Sequence, residues 1–188
     1  MKVATRKIGA QRLVIGLLMM AGTVAVVRVT YGQVGGSNLT SPPAKVATTI
    51  AGRRISVDYY APSMRGRKIM GGLVPFGEVW CTGANWATKI TSEAMLEVGG
   101  LRLPAGSYSI WTIPNQKEWM LIINKQTGQS HLDYDGSRDF GRTKMSVKTL
   151  TAPVETFKVE LRADGGNKGT LALMWETTEA SIPLTVVQ

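Results

Sequence analysis

The chain contains 188 residues, with 22 Lys and Arg, 13 Asp and Glu, one His and one Cys. Five of the basic residues and none of the acidic ones lie in residues 1–32, which leaves 17 basic and 13 acidic residues in the rest of the chain. This near balance gives no support for a clustered basic surface that would bind nucleic acid. The single Cys excludes an internal disulfide. One His with one Cys provides too few ligands for a typical zinc site.

Residues 1–32 have the order of an export signal. Four basic residues precede an apolar run over residues 13–27, and a small-residue site follows that ends at Gly32. This order predicts a signal peptide cleaved after Gly32, and hence a periplasmic or secreted protein with no membrane span in its mature form. An uncleaved N-terminal anchor is the alternative. No Cys follows the apolar run directly, which argues against a lipid anchor.

The remaining chain has the pattern of one β-rich domain. Residues 33–43 are rich in Gly, Ser and Pro and predict a flexible mature N-terminus. Over residues 44–188, apolar and polar side chains alternate with a period of two, and no segment has a helical period. We therefore predict an all-β fold, a single antiparallel β-sandwich that is jelly-roll-like and has about nine strands. The segments with this alternation are 46–50, 54–60, 87–92, 95–98, 101–103, 107–113, 119–124, 144–149, 155–161, 170–175 and 182–187.

A basic cluster opens the most distinctive stretch of the sequence, residues 65–92. Arg65, Arg67 and Lys68 lie within four residues and are separated by Gly66. Glycine lets the backbone approach a ligand closely, and Arg can hold a carboxylate or phosphate with two hydrogen bonds, so the cluster predicts an anion-recognising loop. The alternative is that one Arg packs its stem on a Trp ring while the other cations remain solvated.

Two tryptophans follow the basic cluster. Aromatic faces surrounded by hydrogen-bonding groups are typical of sites for sugars or flat organic ligands. The alternative is that both rings anchor a loop in the core, as we expect for Trp111, Trp119 and Trp175 on strands. The residues that predict a ligand surface here are Trp80, Thr82, Asn85, Trp86, Thr88 and Lys89.

The sequence offers little for catalysis. Glu78 could pair with Asp133 or Asp135 in a polar connection over residues 125–141, as the two carboxylates of a glycosidase would. Cys81 is expected to be a small apolar residue, because the only His, His131, lies far away in the sequence. We predict no catalytic residue, no metal and no cofactor.

Several motifs together resemble a known family. They are SPPAKV from Ser41, RGRKIMGGLVPFGEVW from Arg65, TGANWATKI from Thr82, LPAGSYSIWTIP from Leu103 and EWMLIINK from Glu118. In these motifs the chain resembles the bacterial domain-of-unknown-function family 2911.

This resemblance implies an exported bacterial protein but no particular reaction. It also implies two departures, since the family pattern has Arg at the position of Cys81 and commonly Glu at the position of Trp86. Either the ligand differs in this protein, or apolar packing has replaced both positions together.

These observations favour a non-catalytic binding module for a small polar or carbohydrate-like ligand or for a cell-envelope partner. A protein–protein interaction or structural module of the envelope is the first alternative. A hydrolase that acts on an extracellular polymer through paired carboxylates is the second.

Overall fold

The computed structural model describes residues 41–187. The predicted signal peptide, residues 1–32, and most of the predicted flexible segment lie outside the described residues. The described chain enters the sheet almost at once, because the first strand begins at Pro43. The carbonyl of Pro42 accepts a hydrogen bond from the Ala61 amide at 2.9 Å, so this entry is fixed to the end of the second strand.

The fold is all-β and antiparallel, as predicted. Within the described residues, nine strands form one sheet in the order β1-β2-β3-β6-β7-β8-β9-β4-β5, and a single 3-10 turn at Gly136–Arg138 precedes β8. The strands are β1 (Pro43–Ile50), β2 (Arg53–Tyr60), β3 (Thr88–Ser92), β4 (Leu96–Val98), β5 (Leu101–Leu103), β6 (Gly106–Ile113), β7 (Glu118–Asn124), β8 (Asp139–Gly165) and β9 (Lys168–Val186).

The sheet curls around one hydrophobic core. Four strands separate β1 from β8 in the hydrogen-bonding order, yet β1 and β8 contact each other, so the two halves of the sheet face one another. The core contains buried apolar side chains from all nine strands, including Ile55 and Val57 of β2 and the fully buried ring of Phe157 of β8. The period-two alternation therefore places one side chain of each pair in this core and the next on the outer face.

Two of the strands are much longer than predicted. The segments 144–149 and 155–161 belong to β8, which is 27 residues long, and the segments 170–175 and 182–187 fall largely within β9, which is 19 residues long. The prediction of separate short strands was wrong here, because the residues between the two segments of β8 form register shifts and not turns. These shifts lie between Thr149 and Val154 and between Val154 and Lys158. Such bulges let a strand bend without leaving the sheet.

Short turns agree with the sequence. Gly99 and Gly100 connect β4 and β5 with φ of 51° and 91°, and Ala51 and Gly52 connect β1 and β2 with φ of 49° and 75°. Two-residue hairpin loops of this kind require positive φ, which explains the Gly-Gly pair.

A smaller apolar cluster lies on the outer face of the central strands. Trp111 of β6 and Ile122 of β7 are buried there with Cys81 and Ala87. Two connections cover these side chains, residues 81–87 and residues 125–135, and they bond to each other because the Ala87 amide donates to the Gln129 carbonyl at 3.1 Å. These two connections position the candidate site.

Candidate functional site

The stretch from Arg65 to Lys89 divides into two parts in the structure. Residues 64–79, which we name the tongue, lie beside β8 and β9. The amide of Met64 donates to the Glu155 carbonyl at 2.8 Å, and the amide of Met70 donates to Oε2 of Glu176 at 3.0 Å. After Trp80 the chain crosses to the outer face of the sheet and enters β3.

The three cations of the tongue lie together but do not share a cavity with the second part. Arg67 folds back on its own loop, with Nε donating to the Met64 carbonyl at 2.9 Å and Nη2 donating to the Ser63 carbonyl at 2.8 Å. Arg65 occupies a left-handed turn with φ of 49°, and its amide donates to Oε1 of Glu155 at 2.8 Å. Arg65, Arg67 and Lys68 are exposed, and none of them lines the groove described below.

Trp80 is a core anchor. Its ring centroid lies 5.2 Å from that of Phe157, 6.1 Å from that of Trp119 and 5.8 Å from that of Trp175, which it faces at an interplanar angle of 21°. Its Nε1 donates to the Gly83 carbonyl at 3.1 Å. The Trp80 indole therefore packs inside the fold. The rings expected in the core on sequence grounds, Trp111, Trp119 and Trp175, are all buried.

Thr82 and Asn85 also serve the local structure. Thr82 is fully buried, and its hydroxyl lies 3.1 Å from that of Thr112. Asn85 adopts φ of 61°, and its Nδ2 donates to the Ser41 carbonyl at 3.1 Å. Thr88 is buried as well, and its hydroxyl donates to the Thr82 carbonyl at 2.7 Å. These three polar side chains hold the connection to β3 in place and do not line the groove.

Trp86 and Lys89 are the two residues of the predicted ligand surface that line one cavity. The Trp86 side chain is 47% exposed, and its backbone bridges to Ser130 of the second covering connection. Both residues line an open groove of about 450 Å³, which we name the outer groove. Its other lining residues are Pro43, Ala44, Lys45, Asp58, Tyr59, Tyr60, Ala87 and Gly128.

The charged wall of the outer groove is a row of three side chains on neighbouring strands. Lys45 of β1 pairs in register with Asp58 of β2, and Asp58 pairs with Lys89 of β3. The Lys45 Nζ lies 2.8 Å from Oδ1 of Asp58, and the Lys89 Nζ lies 3.6 Å from Oδ2. Two ammonium groups thus share one carboxylate, which leaves a net positive charge and unused donors facing solvent.

Sequence reasoning did not select Lys45, Asp58 or Tyr60. The alternation along β2 already indicated that Asp58 and Tyr60 lie on the outer face, because they alternate with the core-facing side chains. The partners of Asp58 follow only from strand pairing, which a single strand pattern does not specify.

The candidate carboxylates Glu78 and Asp135 are anchored near opposite ends of β6. The residue before Glu78 bonds to Pro114 after the end of β6, whereas the carbonyl of Asp135 bonds to Asn124, which pairs with Ser109 near the start of β6. These anchor points are five residues apart, or roughly 16 Å at the rise of a strand. The carboxylates of a glycosidase lie within about 10 Å of each other. The pairing on which the hydrolase alternative depends is therefore not favoured by this geometry.

Cys81 is buried in the outer apolar cluster, and its burial raises the pKa of the thiol to about 12. The thiol is therefore protonated at neutral pH, which is the unreactive form. His131 is exposed, and its Nδ1 lies 2.8 Å from the Asn85 carbonyl. Within residues 41–187, no three His, Cys, Asp or Glu side chains are grouped so that they could hold a metal ion.

Comparison with known proteins identifies the family. The model of DUF2911, a protein family of unknown function, matches residues 41–184. The chain belongs to the DUF2911 family. No curated protein matches the chain, and no solved structure matches it. In the part of this DUF2911 protein that the structure describes, no helix is long and apolar enough to cross a membrane.

The two positions at which the chain departs from the expected family pattern have different environments. Cys81 is buried beside Trp111 and Ile122, whereas Trp86 lies outside this cluster and is half exposed at the outer groove. Joint apolar packing of the two residues is therefore not what the structure shows, and the Trp86 ring adds apolar surface to the groove.

Proposed function

We propose that this DUF2911 protein is an exported, non-catalytic binding module that holds a small polar or carbohydrate-like ligand in the outer groove. The observation that carries the proposal is the half-exposed ring of Trp86 beside the charged row of Lys45, Asp58 and Lys89. Export is supported by the signal-like order of residues 1–32.

The groove has the two kinds of group that such a ligand requires. A sugar has an apolar face, which packs on an aromatic ring, and hydroxyl groups, which need donors and acceptors at its edge. The groove supplies the Trp86 ring, the ammonium groups of Lys45 and Lys89, and the carboxylate of Asp58 as acceptor. Because the three charged residues lie on adjacent strands of one sheet, their backbone positions are fixed before the ligand binds, which reduces the cost of ordering the site.

The binding function can be tested by calorimetry with chitin oligosaccharides and soluble cell-wall muropeptides as probes. We expect at least one probe to bind, and Trp86→Ala to weaken its binding by about tenfold or more, as truncation of a central aromatic contact does. Phe76→Ala is the matched control, because Phe76 is 36% exposed but lies outside the groove. If no probe binds, or if both substitutions weaken binding equally, the groove is not a ligand site.

Export can be tested separately. The full chain is produced in a bacterium with a periplasm, and the N-terminus of the protein released from that compartment is sequenced. Cleavage after Gly32 is the expected result. A full-length product in the membrane fraction would support the anchor alternative, and a cytoplasmic product would contradict export.

A further inference from the structure

The tongue has an unusual exposed apolar surface. Leu73, Phe76 and Val79 are 48%, 36% and 39% exposed, and they lie within seven residues of one another. Three of the six large apolar side chains that are exposed in residues 41–187 are therefore found on this one connection. Such a concentration of exposed apolar side chains on a folded protein makes this connection a candidate interaction surface.

The basic cluster belongs to the same piece of structure. The amide of Leu73 donates to the Lys68 carbonyl at 3.1 Å, so the first exposed apolar residue lies beside the last of the three cations. The Phe76 ring packs against Gly71, where a Cβ atom would lie only 2.7 Å from it. The tongue is thus a compact loop that carries three cations in its first half, three exposed apolar side chains in its second half, and one exposed acid, Glu78.

The fold holds this surface in place. Ile69, Met70 and Val74 are buried in the main core, while their neighbours in sequence remain exposed. The carboxylates of Glu155 and Glu176 accept hydrogen bonds from tongue amides. The exposure of the apolar side chains is therefore part of the folded state, and a partner that covers them does not need to order the loop first.

We propose that the tongue is a membrane-contact element that inserts its exposed apolar side chains into the surface of an anionic lipid bilayer. Lipid interfaces take up apolar side chains a few ångströms deep while cations beside them interact with acidic headgroups, and the tongue presents both groups on one rigid loop. The outer groove has a different lining, so this proposed contact uses none of the residues of the ligand site.

A probe attached to the tongue reports this contact in the full chain. Leu73→Cys is labelled with an environment-sensitive fluorophore, and Cys81 does not compete for the label because its thiol is buried and its pKa is raised to about 12. The labelled protein is mixed with vesicles of phosphatidylcholine alone or with added phosphatidylglycerol, and lipids that carry a quencher in the acyl chain report insertion. Met95→Cys is the matched control, because Met95 is 38% exposed and lies outside the tongue.

The proposal requires that the fluorescence emission of the tongue probe shifts to shorter wavelength and is quenched on vesicles that contain phosphatidylglycerol. Added salt should reverse both changes. The control probe should not respond, so the apolar run of residues 13–27 cannot mimic this result. In the tongue-labelled protein, Arg65→Gln with Lys68→Gln should weaken the interaction roughly thirtyfold, since each cation near an anionic surface contributes about 1 kcal/mol. The charge control is Arg102→Gln with Lys168→Gln, which removes exposed cations elsewhere.

Three results would overturn the proposal. They are equal responses of the two labelled positions, equal responses to neutral and anionic vesicles, and no response to lipid. If Phe76→Ser with Val79→Ser abolishes self-association without any lipid effect, the surface instead binds a second protein copy.

Discussion

Trp80 and Trp86 are six residues apart in the sequence, but they should differ widely in their contribution to stability. Truncation of a core Trp costs about 3–5 kcal/mol, and partial exposure of Trp80 places it at the lower end of this range. The change removes three ring contacts at 5.2–6.1 Å and the hydrogen bond to the Gly83 carbonyl, which is itself buried. We therefore expect Trp80→Ala to lower the free energy of unfolding by about 3–4 kcal/mol.

Trp86→Ala is the matched comparison. Its bridge to Ser130 uses the backbone and survives the substitution, and within the described residues its ring has no aromatic partner. We expect Trp86→Ala to lower the free energy of unfolding by less than about 1 kcal/mol, as substitutions at other exposed positions do.

The two variants are compared with the native chain by urea titration followed by far-ultraviolet circular dichroism. For a domain of this size, about 3 kcal/mol also corresponds to a decrease in Tm of roughly 10 °C. The slope with urea should stay constant, because the surface exposed on unfolding changes little. Equal losses in the two variants would refute the assignment of Trp80 to the core and Trp86 to the surface.

Further predictions concern the thiol, the tongue and one glycine. Burial raises the pKa of Cys81 from 9.0 to about 12 in the folded chain, so the contribution of the protonated thiol to the free energy of unfolding is present below pH 9 and is lost as the pH rises to 12. Between pH 9 and 12 the free energy of unfolding of the native chain should therefore fall more than that of Cys81→Ala. Urea titration at each pH measures both values. Glu176→Ala should speed hydrogen exchange at the Met70 amide by about tenfold, while Glu176→Gln retains an acceptor and should have a smaller effect. Gly169→Ala should lower the free energy of unfolding by about 2 kcal/mol, because a Cβ atom at this position would clash with the Ile50 side chain and with the backbone of β8. A double-mutant cycle with Ile50→Val should recover part of that loss, and full additivity would contradict the clash.

Much of the fold was predictable because a period of two fixes which side chains face the core. The alternation of Ile55 and Val57 with polar neighbours identified β2 to within one residue. The lengths of β8 and β9 were not predictable, since a short segment that contains Pro, such as residues 150–153, can form either a turn or a bulge. The strand pairing that decides between them is a long-range property.

The candidate site was predictable only in part, for a related reason. Trp80 and Trp86 are the same residue type and stand six positions apart in one Gly-rich stretch, so the sequence could not tell a core ring from an exposed one. Lys45, Asp58 and Lys89 lie 13 and 31 residues apart in the sequence and meet only across paired strands. A row of charged side chains across a sheet cannot be predicted until the register of the paired strands is known.

The position of Trp80 explains how one stretch of sequence serves two surfaces. Its amide donates to the Thr112 carbonyl at 2.7 Å, its carbonyl accepts from the Thr112 amide at 2.9 Å, and its ring is held in the aromatic core. The chain before this point forms the tongue, and the chain after it contributes Trp86, Ala87 and Lys89 to the lining of the outer groove. Loss of the Trp80 ring should therefore disturb both surfaces, whereas Trp86→Ala should affect only the groove and Leu73→Ser only the tongue. Ligand calorimetry and the vesicle assay, applied to all three variants, would show whether the anchor couples the two surfaces in this way.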